Sequence, residues 1–143
     1  MTILNNTFKN KTVLITGDTG FKGSWLAIWL NSLGARVVGL SIDVPSQPSN
    51  YEASDLKNFI DVNWVDIQNS EKVSKVVDEN QPDFVFHLAA QALVRTSYDN
   101  PLETFSTNAM GSVNLLDSLR KIKKNVVVIM ITSDKAYDNV EWV

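Results

Sequence analysis

Three glycines after a short apolar run have the spacing of a loop that could hold phosphate groups. The segment TGDTGFKG places Gly17, Gly20 and Gly23 between a predicted strand and a predicted helix. One glycine can form the tight turn, a second lets the backbone approach a pyrophosphate, and a third allows close helix–strand packing. The N–H groups at the helix start then face the phosphates, where the helix dipole favours negative charge. Three glycines alone are weak evidence, but their place between a strand and a helix predicts a dinucleotide site, although the spacing is G-x-x-G-x-x-G rather than the commoner G-x-G-x-x-G. The alternative is a glycine turn without a ligand.

An acidic side chain follows the second predicted strand, twenty residues after Gly23. Asp43 is placed to accept hydrogen bonds from the two hydroxyl groups of a ribose. A 2′-phosphate there would meet a negative charge, and residues 41–50 contain no Arg or Lys to offset it. We therefore predict NAD rather than NADP as the cofactor. The alternative is that Asp43 only begins a loop.

Three polar side chains, Ser133, Asp134 and Lys135, follow the fifth predicted strand. Ligands of an open parallel sheet bind beyond the carboxyl ends of its strands, so these residues are candidates for catalysis. In a regular strand, Ser133 and Lys135 would face one side and Asp134 the other. All three can converge only if the backbone leaves the strand near Ser133, which we predict. The alternative is a surface ion pair at the strand end.

The elements that must position these residues alternate between strand and helix. Apolar runs predict four strands, at residues 11–17, 36–42, 83–90 and 126–132, and alternation of apolar and polar residues predicts another at residues 59–67. Helical spacing predicts that Trp25 and Trp29 lie in the core under the first helix. A long helix from Pro101 to about residue 121 is predicted to carry on one face Leu102, Phe105, Ala109, Val113, Leu116 and Leu119. Continuous apolar strands joined by right-handed crossovers predict an α/β fold, a doubly wound parallel sheet that is Rossmann-like.

The composition excludes several classes of protein. A chain of 143 residues predicts one domain, and a net charge of -3 gives no electrostatic footprint for nucleic acid or an anionic membrane. The absence of cysteine excludes disulfides and a cysteine nucleophile, and a single histidine, His87, makes a histidine-based metal site implausible. We expect His87 to be a buried packing residue. Without a long apolar run or a secretion signal, the expected location is the cytoplasm.

These motifs together resemble the extended short-chain dehydrogenase/reductase family, the nucleotide-sugar epimerases and dehydratases. The resemblance rests on TGDTGFKG and on three later segments, VDI, HLAAQ and STNAMGSVNLL. It implies that NAD contacts Gly17, Thr19, Gly20, Phe21, Lys22, Gly23, Asp43, Asp66, Ile67, Leu88, Ala89, Ala90, Gln91, Thr107 and Asn108. Asp18 stands where the similar pattern TGHTGFKG has a histidine, and an acid beside the phosphates is expected to weaken cofactor binding.

The resemblance further implies a 4,6-dehydratase that acts on a nucleotide sugar. In such enzymes NAD oxidises C4 of the hexose, a base removes the C5 proton while an acid protonates the departing C6 hydroxyl, and the hydride returns to C6. By this resemblance, Ser133 hydrogen-bonds the C4 oxygen, Asp134 is the acid and Lys135 is the base. The identity of the nucleotide sugar stays open. The alternative to an enzyme is a non-catalytic dinucleotide-binding module.

The Tyr-x-x-x-Lys pair of that family does not occur in this sequence. The residue four positions after each tyrosine is Asp55 after Tyr51, Leu102 after Tyr98 and Glu141 after Tyr137. We therefore expect residues 1–143 to be the amino-terminal NAD-binding part, truncated after about five strands and inactive alone, without the sugar-nucleotide-binding domain. A homodimer is expected for the complete protein. The predicted long helix could form that dimer interface, or its apolar face could be buried against the sheet.

Overall fold

Five parallel strands form one sheet within residues 6–133, the part of the chain that the computed structural model describes. The strands are β1 (Thr12–Thr16), β2 (Arg36–Ser41), β3 (Asp61–Trp64), β4 (Phe84–His87) and β5 (Val127–Met130). Their order is β3-β2-β1-β4-β5, and every neighbouring pair is parallel. The order reverses direction between β1 and β4, as in doubly wound sheets. The predicted α/β fold class is confirmed, and each strand is shorter than its predicted apolar run.

The helices between the strands cover both faces of the sheet. They are α1 (Phe21–Ser32), α2 (Asn50–Ala53), a 3₁₀ turn (Leu56–Asn58), α3 (Ser70–Asn80), α4 (Val94–Asp99), α5 (Pro101–Phe105), a π-turn (Ser106–Met110) and α6 (Gly111–Arg120). The predicted long helix is thus the succession of α5, the π-turn and α6, and it begins at Pro101 as expected. None of the helices in residues 6–133 combines the length and apolarity needed to cross a bilayer.

Two apolar cores lie on opposite faces of the sheet. Alternate residues of a strand point to opposite faces, so β1 directs Leu14 to one core and Val13 and Ile15 to the other. The first core contains residues of α3 and α6, and the second contains residues of α1, α2 and the 3₁₀ turn. Burial on both faces explains why β1 and β2 are continuous apolar runs, whereas the edge strand β3, with the sequence DVNW, alternates and is partly exposed.

The predicted burial of Trp25 and Trp29 is wrong, because these side chains are 55% and 51% exposed. The residues of α1 that face the sheet are instead small or aliphatic, and they include Gly23, Ala27 and Leu30. Small side chains let the helix axis approach the sheet closely, so they occupy the contact stripe. Trp25 is two positions away from both Gly23 and Ala27, so it lies on the opposite side of a helix with 3.6 residues per turn.

The apolar residues of the predicted long helix do not share one buried face. Leu102 and Phe105 are 83% and 71% exposed, whereas Leu119 is buried. The π-turn between α5 and α6 is wider than an α-turn, so a face counted at α-helical spacing does not stay in phase across it. After the turn, α6 directs Leu115 and Leu119 into the core, and Gly111 sits against Ile67.

Candidate cofactor-binding and active site

The candidate site lies at the carboxyl edge of the sheet, where the strand order reverses between β1 and β4. Connections that leave neighbouring strands in opposite directions open a crevice, and ligands of doubly wound sheets bind there. The predicted cofactor residues follow the ends of β1, β2, β3 and β4, except Thr107 and Asn108, which lie in the π-turn. Since all strands are parallel, these ends share one edge.

Gly17 forms a tight turn pressed against the end of β4. Its φ of +77° lies in the left-handed region that favours glycine. A Cβ atom placed there would lie 2.9 Å from the Ala89 nitrogen, and the Gly17 N–H donates to the Leu40 carbonyl at 2.8 Å. The turn is therefore fixed between β2 and β4, as the glycine motif predicts.

Gly23 and Gly20 have different surroundings. A Cβ atom at Gly23 would lie 2.0 Å from the Gly17 carbonyl oxygen, so α1 packs directly on the backbone of the loop. At Gly20 the nearest such atom is the same oxygen at 3.3 Å. Gly23 thus has the role of close helix–strand packing, and Gly20 leaves the backbone accessible.

The first turn of α1 suits an anion. Gly20 precedes the helix without a side-chain cap, and the first turn contains no acidic residue. Phe21 and Lys22 are exposed in that turn. Uncapped N–H groups at the positive end of a helix dipole, with a lysine beside them, form a site for negative charge. The loop therefore fits a diphosphate on geometry and on charge.

Asp43 is exposed just beyond β2, and its backbone is tied to the glycine loop. The Thr19 hydroxyl donates to the Asp43 carbonyl oxygen at 2.6 Å. Thr19 is itself buried, so any contact of this residue with a cofactor falls to its backbone. The hydrogen bond fixes the position of Asp43 relative to the loop and leaves its carboxylate on the surface.

Asp18 belongs to the glycine loop, but its side chain is not exposed at the loop surface, and the expected weakening of cofactor binding stays a prediction. Its side chain is fully buried beneath the loop, against Gly39 of β2. Oδ1 accepts a hydrogen bond from the Ser41 hydroxyl at 2.6 Å, while Oδ2 has no hydrogen-bond partner among residues 6–133. Burial raises the pKa of Asp18 above its usual value, although the bond from Ser41 opposes this.

The predicted adenine-contacting pair follows β3. The Asp66 Oδ1 accepts from the Gln68 N–H at 2.8 Å, which forms a turn at the sheet edge. Ile67 is buried, with only 4% of its surface exposed, and belongs to the core beside Gly111. The side chain of Asn114 donates to the Ile67 carbonyl oxygen at 3.1 Å. Asp66 is thus at the edge of the site, and Ile67 can reach a cofactor only through its backbone.

The segment after β4 is held next to the π-turn. The Gln91 N–H donates to the Asn108 Oδ1 at 2.8 Å, and the Asn108 side-chain amide donates to the Gln91 carbonyl oxygen at 3.0 Å. Between the end of β4 and Gln91, Leu88 and Ala89 are partly exposed and Ala90 is exposed. The predicted residues of the fourth strand end and of the long helix are therefore neighbours.

Thr107 lies on the other side of the π-turn. Its hydroxyl accepts from the Gln68 side chain at 3.2 Å and donates to the Glu103 carboxylate at 3.3 Å. This contact joins the π-turn to the segment after β3, next to Asp66. The π-turn therefore connects two of the segments that sequence reasoning assigned to the cofactor.

His87 is buried with both ring nitrogens hydrogen-bonded, which confirms its expected role as a packing residue. Nδ1 lies 2.6 Å from the Thr16 hydroxyl oxygen, and Nε2 lies 2.9 Å from the Ser112 hydroxyl oxygen. Burial lowers the pKa of His87 below its usual value. Sequence reasoning missed Thr16 and Ser112, because neither residue type signals a buried partner.

The fifth strand ends before the candidate catalytic residues. β5 ends at Met130, and the last sheet-like bond runs from the Ile131 N–H to the His87 carbonyl oxygen at 3.1 Å. Ser133 is exposed and outside the strand, at the same edge as the glycine loop. Asp134 and Lys135 lie outside the described residues, so the convergence of the three side chains stays a prediction.

Comparison with known proteins assigns the family. A sequence profile for GDP-mannose 4,6-dehydratase matches residues 14–142, from within β1 to beyond β5. The chain belongs to the GDP-mannose 4,6-dehydratase family. For this family member, the glycine loop and the strand ends described above all fall inside the matched region.

Relatives of this GDP-mannose 4,6-dehydratase family member include enzymes and solved structures. CDP-glucose 4,6-dehydratase of Salmonella typhimurium is 47% identical over 96% of this chain. UDP-glucose 4-epimerase of Thermus thermophilus, solved as a complex with NAD, is 31% identical over 78% of this chain, with a TM-score of 0.69. UDP-glucose 4-epimerase of Stenotrophomonas maltophila, with bound NAD and formylated UDP-arabinopyranose, covers 93% of this chain with a TM-score of 0.81; its 24% identity shows the fold alone.

The chain spans well under half the length of these relatives. It covers 38% of the Salmonella typhimurium dehydratase, 34% of the Thermus thermophilus epimerase and 40% of the Stenotrophomonas maltophila epimerase. The described residues of this GDP-mannose 4,6-dehydratase family member thus correspond to one part of each relative.

Proposed function

We propose that this chain is part of an NAD-dependent nucleotide-sugar 4,6-dehydratase whose substrate is CDP-glucose. The observation that carries the proposal is the glycine loop, with its uncapped helix start, at the switch point of the sheet. The choice of substrate is supported by the 47% identity to a CDP-glucose 4,6-dehydratase over 96% of the chain.

In this proposal the chain's own backbone holds the diphosphate of NAD. The Gly20 backbone leaves space above the loop, and the N–H groups of Phe21 and Lys22 face it from the first turn of α1. The exposed carboxylate of Asp43 accepts hydrogen bonds from the adenosine ribose, and Asp66 lies at the adenine side. A 2′-phosphate would meet the Asp43 charge, which favours NAD over NADP.

The segment Leu88–Gln91 and the π-turn form the nicotinamide side of the proposed site. Ala89 and Ala90 have small side chains, so the backbone there can approach a ribose closely. Gln91 and Asn108 satisfy each other's amide groups and fix this backbone from below. Thr107 and Asn108 thus act by holding the segments around the cofactor.

The proposed chemistry uses the residues after β5. Bound NAD would accept the C4 hydride and later return it to C6, so that the net reaction is the loss of water. The proton of the C4 hydroxyl would need a base, the role of the family's Tyr-x-x-x-Lys pair, which does not occur in residues 1–143. The Ser133 hydroxyl hydrogen-bonds the C4 oxygen, the Lys135 amine removes the C5 proton, and the Asp134 carboxylic acid protonates the departing C6 hydroxyl. The reactive form therefore has Asp134 protonated and Lys135 neutral, the reverse of their states in water. Exclusion of water by the bound sugar favours the neutral form of both groups.

The first experiment measures cofactor binding to the 143-residue chain by calorimetry. We expect NAD to bind and NADP to bind at least about tenfold more weakly, since a 2′-phosphate would lie against the Asp43 carboxylate. The control is the Gly20→Ala variant, whose added methyl group would stand between the loop and a diphosphate. Absence of heat with either nucleotide at millimolar concentration would refute the proposed cofactor site.

The second experiment tests the substrate with a protein of the relatives' full length. Incubation with CDP-glucose, UDP-N-acetylglucosamine or GDP-mannose, followed by mass spectrometry, detects the loss of one water from the sugar. CDP-glucose is the expected substrate. Water loss from UDP-N-acetylglucosamine alone would identify a different 4,6-dehydratase, and no reaction with any sugar despite NAD binding would identify a non-catalytic dinucleotide-binding module.

We also propose that the whole protein is a homodimer that pairs through α5 and α6. The support is that these helices carry exposed apolar side chains, Leu102 and Phe105 on α5 and Val113 and Leu116 on α6. A Leu116→Glu variant is expected to shift the mass in light scattering from dimer to monomer. Phe59→Glu, at an exposed position beside the 3₁₀ turn of the other core, is the control and is expected to leave the dimer intact.

A further inference from the structure

A row of three hydrogen-bonding side chains crosses the protein beneath the segment Leu88–Gln91. The Thr16 hydroxyl at the end of β1 lies 2.6 Å from the His87 Nδ1 at the end of β4. The His87 Nε2 lies 2.9 Å from the Ser112 hydroxyl of α6, and that hydroxyl lies 2.6 Å from the Asn108 carbonyl oxygen in the π-turn. Thr16 and His87 are buried, at 0% and 4% exposure.

The direction of each hydrogen bond in this row follows from the backbone around Thr16. The Thr16 hydroxyl oxygen already accepts from the Ala89 N–H at 3.1 Å and from the Leu88 N–H at 3.2 Å, which it shares with the Thr16 carbonyl oxygen at 3.0 Å. A hydroxyl has two acceptor lone pairs and one hydrogen, so this hydrogen goes to the His87 Nδ1. Nδ1 is therefore an acceptor, and the single proton of the neutral ring is on Nε2.

The remaining bonds take the same direction. The Nε2–H donates to the Ser112 hydroxyl oxygen, and the Ser112 hydrogen goes to the Asn108 carbonyl, which can only accept. The Asn108 side chain then pairs with the backbone of Gln91. The hydrogen bonds form a closed ring through Thr16, His87, Ser112, Asn108 and the segment Leu88–Gln91.

We propose that neutral His87, as its Nε2–H tautomer, is a positioning residue that locks the segment Leu88–Gln91 to the π-turn through Thr16 and Ser112. The segment is fixed at both ends: its first two amides are held by Thr16, and Gln91 is held by Asn108. Removal of any member leaves a donor or acceptor without its partner and frees one end. The consequence for cofactor binding rests on the proposed function; the hydrogen-bond ring itself does not.

Protonation of His87 would break the closed ring of hydrogen bonds. An imidazolium carries a hydrogen on Nδ1 as well, and this hydrogen would face a Thr16 oxygen whose lone pairs are both in use. The two hydrogen-bond partners of the imidazole, Thr16 of β1 and Ser112 of α6, are uncharged, and so is Met130, which pairs with His87 in the sheet. Burial alone lowers the pKa of His87, so its imidazole stays neutral below the pH at which a histidine in water takes up its proton.

The first test is nitrogen NMR of the ¹⁵N-histidine-labelled chain, which contains a single histidine. We expect the shift pattern of the Nε2–H tautomer at neutral pH. Stepwise acidification should convert it to imidazolium only below the ordinary histidine range, together with faster hydrogen exchange of the Ala89 amide. A proton on Nδ1 at neutral pH, or an Ala89 amide whose exchange ignores the histidine titration, would overturn the proposal.

The second test compares Ser112→Ala with Ser118→Ala. Both hydroxyls lie on α6 and donate to the carbonyl four residues earlier, but only Ser112 also contacts His87. Ser112→Ala is expected to accelerate Ala89 amide exchange and to weaken NAD binding roughly three- to tenfold, the effect of one lost hydrogen bond. Ser118→Ala should do neither.

The outcomes separate this proposal from the proposed function. If the unmodified chain does not bind NAD, the cofactor proposal fails, and the tautomer and the Ala89 exchange rates still decide whether the ring exists. If the unmodified chain binds NAD and the two serine variants behave alike in exchange and affinity, the positioning role of His87 is refuted.

Discussion

Replacing Gly23 with alanine tests whether α1 is seated on the glycine loop by close backbone packing. The added Cβ would lie 2.0 Å from the Gly17 carbonyl oxygen, 2.8 Å from the Gly17 carbonyl carbon and 2.9 Å from the Asp18 Cα. Carbon and oxygen atoms that are not bonded approach to about 3.3 Å. The overlap therefore exceeds 1 Å and involves backbone atoms, which cannot rotate away as a side chain would.

The expected loss of stability follows from two opposing effects. Forcing an extra carbon into a packed site costs about 1–3 kcal/mol, and a backbone clash belongs at the upper end. Alanine in place of glycine inside a helix returns about 0.5–1 kcal/mol. We expect a net decrease of about 2 kcal/mol in the free energy of unfolding. At roughly 2–8 °C per kcal/mol, this corresponds to a decrease in Tm of roughly 4–16 °C.

Gly20→Ala is the matched control in the same loop. Gly20 has a φ of -69°, which alanine adopts without strain, and its nearest neighbour for a Cβ lies at 3.3 Å. We expect the free energy of unfolding to change by less than about 0.5 kcal/mol, as at ordinary surface positions. Binding of NAD should nevertheless be lost, because the methyl group occupies the space assigned to the diphosphate.

Urea unfolding followed by circular dichroism measures both variants, and calorimetry measures their affinity for NAD. A Gly23→Ala chain as stable as the unmodified one would refute the packing role of Gly23. A Gly20→Ala chain that binds NAD normally would show that the diphosphate does not lie over Gly20.

Three further predictions concern Asp18, Gly39 and Asp43. Burial raises the pKa of Asp18, so the contribution of this residue to stability is largest at acid pH and is lost as the pH rises through the raised value. The urea midpoints of Asp18→Asn should therefore exceed those of the unmodified chain by a margin that grows above about pH 4. Parallel curves of urea midpoint against pH for the two proteins would contradict this. A Cβ at Gly39 would lie 2.2 Å from the Asp18 Oδ2, so Gly39→Ala should lower the free energy of unfolding by about 1–3 kcal/mol. Asp18→Ala in the same chain should restore most of this loss. Additive effects of the two substitutions in this double-mutant cycle would exclude the contact. Asp43→Asn should narrow the preference for NAD over NADP, and an unchanged ratio of affinities would remove Asp43 from the ribose site.

The sheet was predictable because each part of its sequence signal has one dominant physical cause. Strands buried on both faces must be continuous apolar runs, as β1 and β2 are, and the edge strand β3 has the alternation of apolar and polar residues that suits a partly exposed strand. The glycine loop was predictable because Gly17 needs a positive φ and Gly23 has no room for a side chain. These demands are local, so they leave a local trace in the sequence.

The orientation of α1 was not predictable from its own apolar residues. Trp25 and Trp29 are far more hydrophobic than Gly23 and Ala27, yet the small residues face the sheet. The choice depends on how closely the helix must approach the loop, and that distance is set by tertiary packing. A hydrophobic pattern counts which residues avoid water and does not measure the space available to them.

The position of Asp18 depended on residues distant in the sequence. Its carboxyl group fits under the loop because Gly39 lacks a side chain and because Ser41 donates a hydrogen bond. The π-turn likewise left no sequence signal, and it changed which apolar residues of the long helix are buried. The catalytic prediction is less complete, since Ser133 is at the expected edge and Asp134 and Lys135 lie outside the described residues.

The exposed indole rings of α1 make the cofactor loop visible to fluorescence. Trp25 is two residues from Gly23 and Trp29 is one helical turn further along, and each has about half of its surface in water. Indoles in such surroundings respond to dissolved quenchers, and their emission overlaps the absorption of reduced nicotinamide. Energy transfer to a bound reduced dinucleotide would therefore report occupancy of the loop in real time, with no attached dye, in a chain whose other tryptophans, Trp64 and Trp142, are replaced.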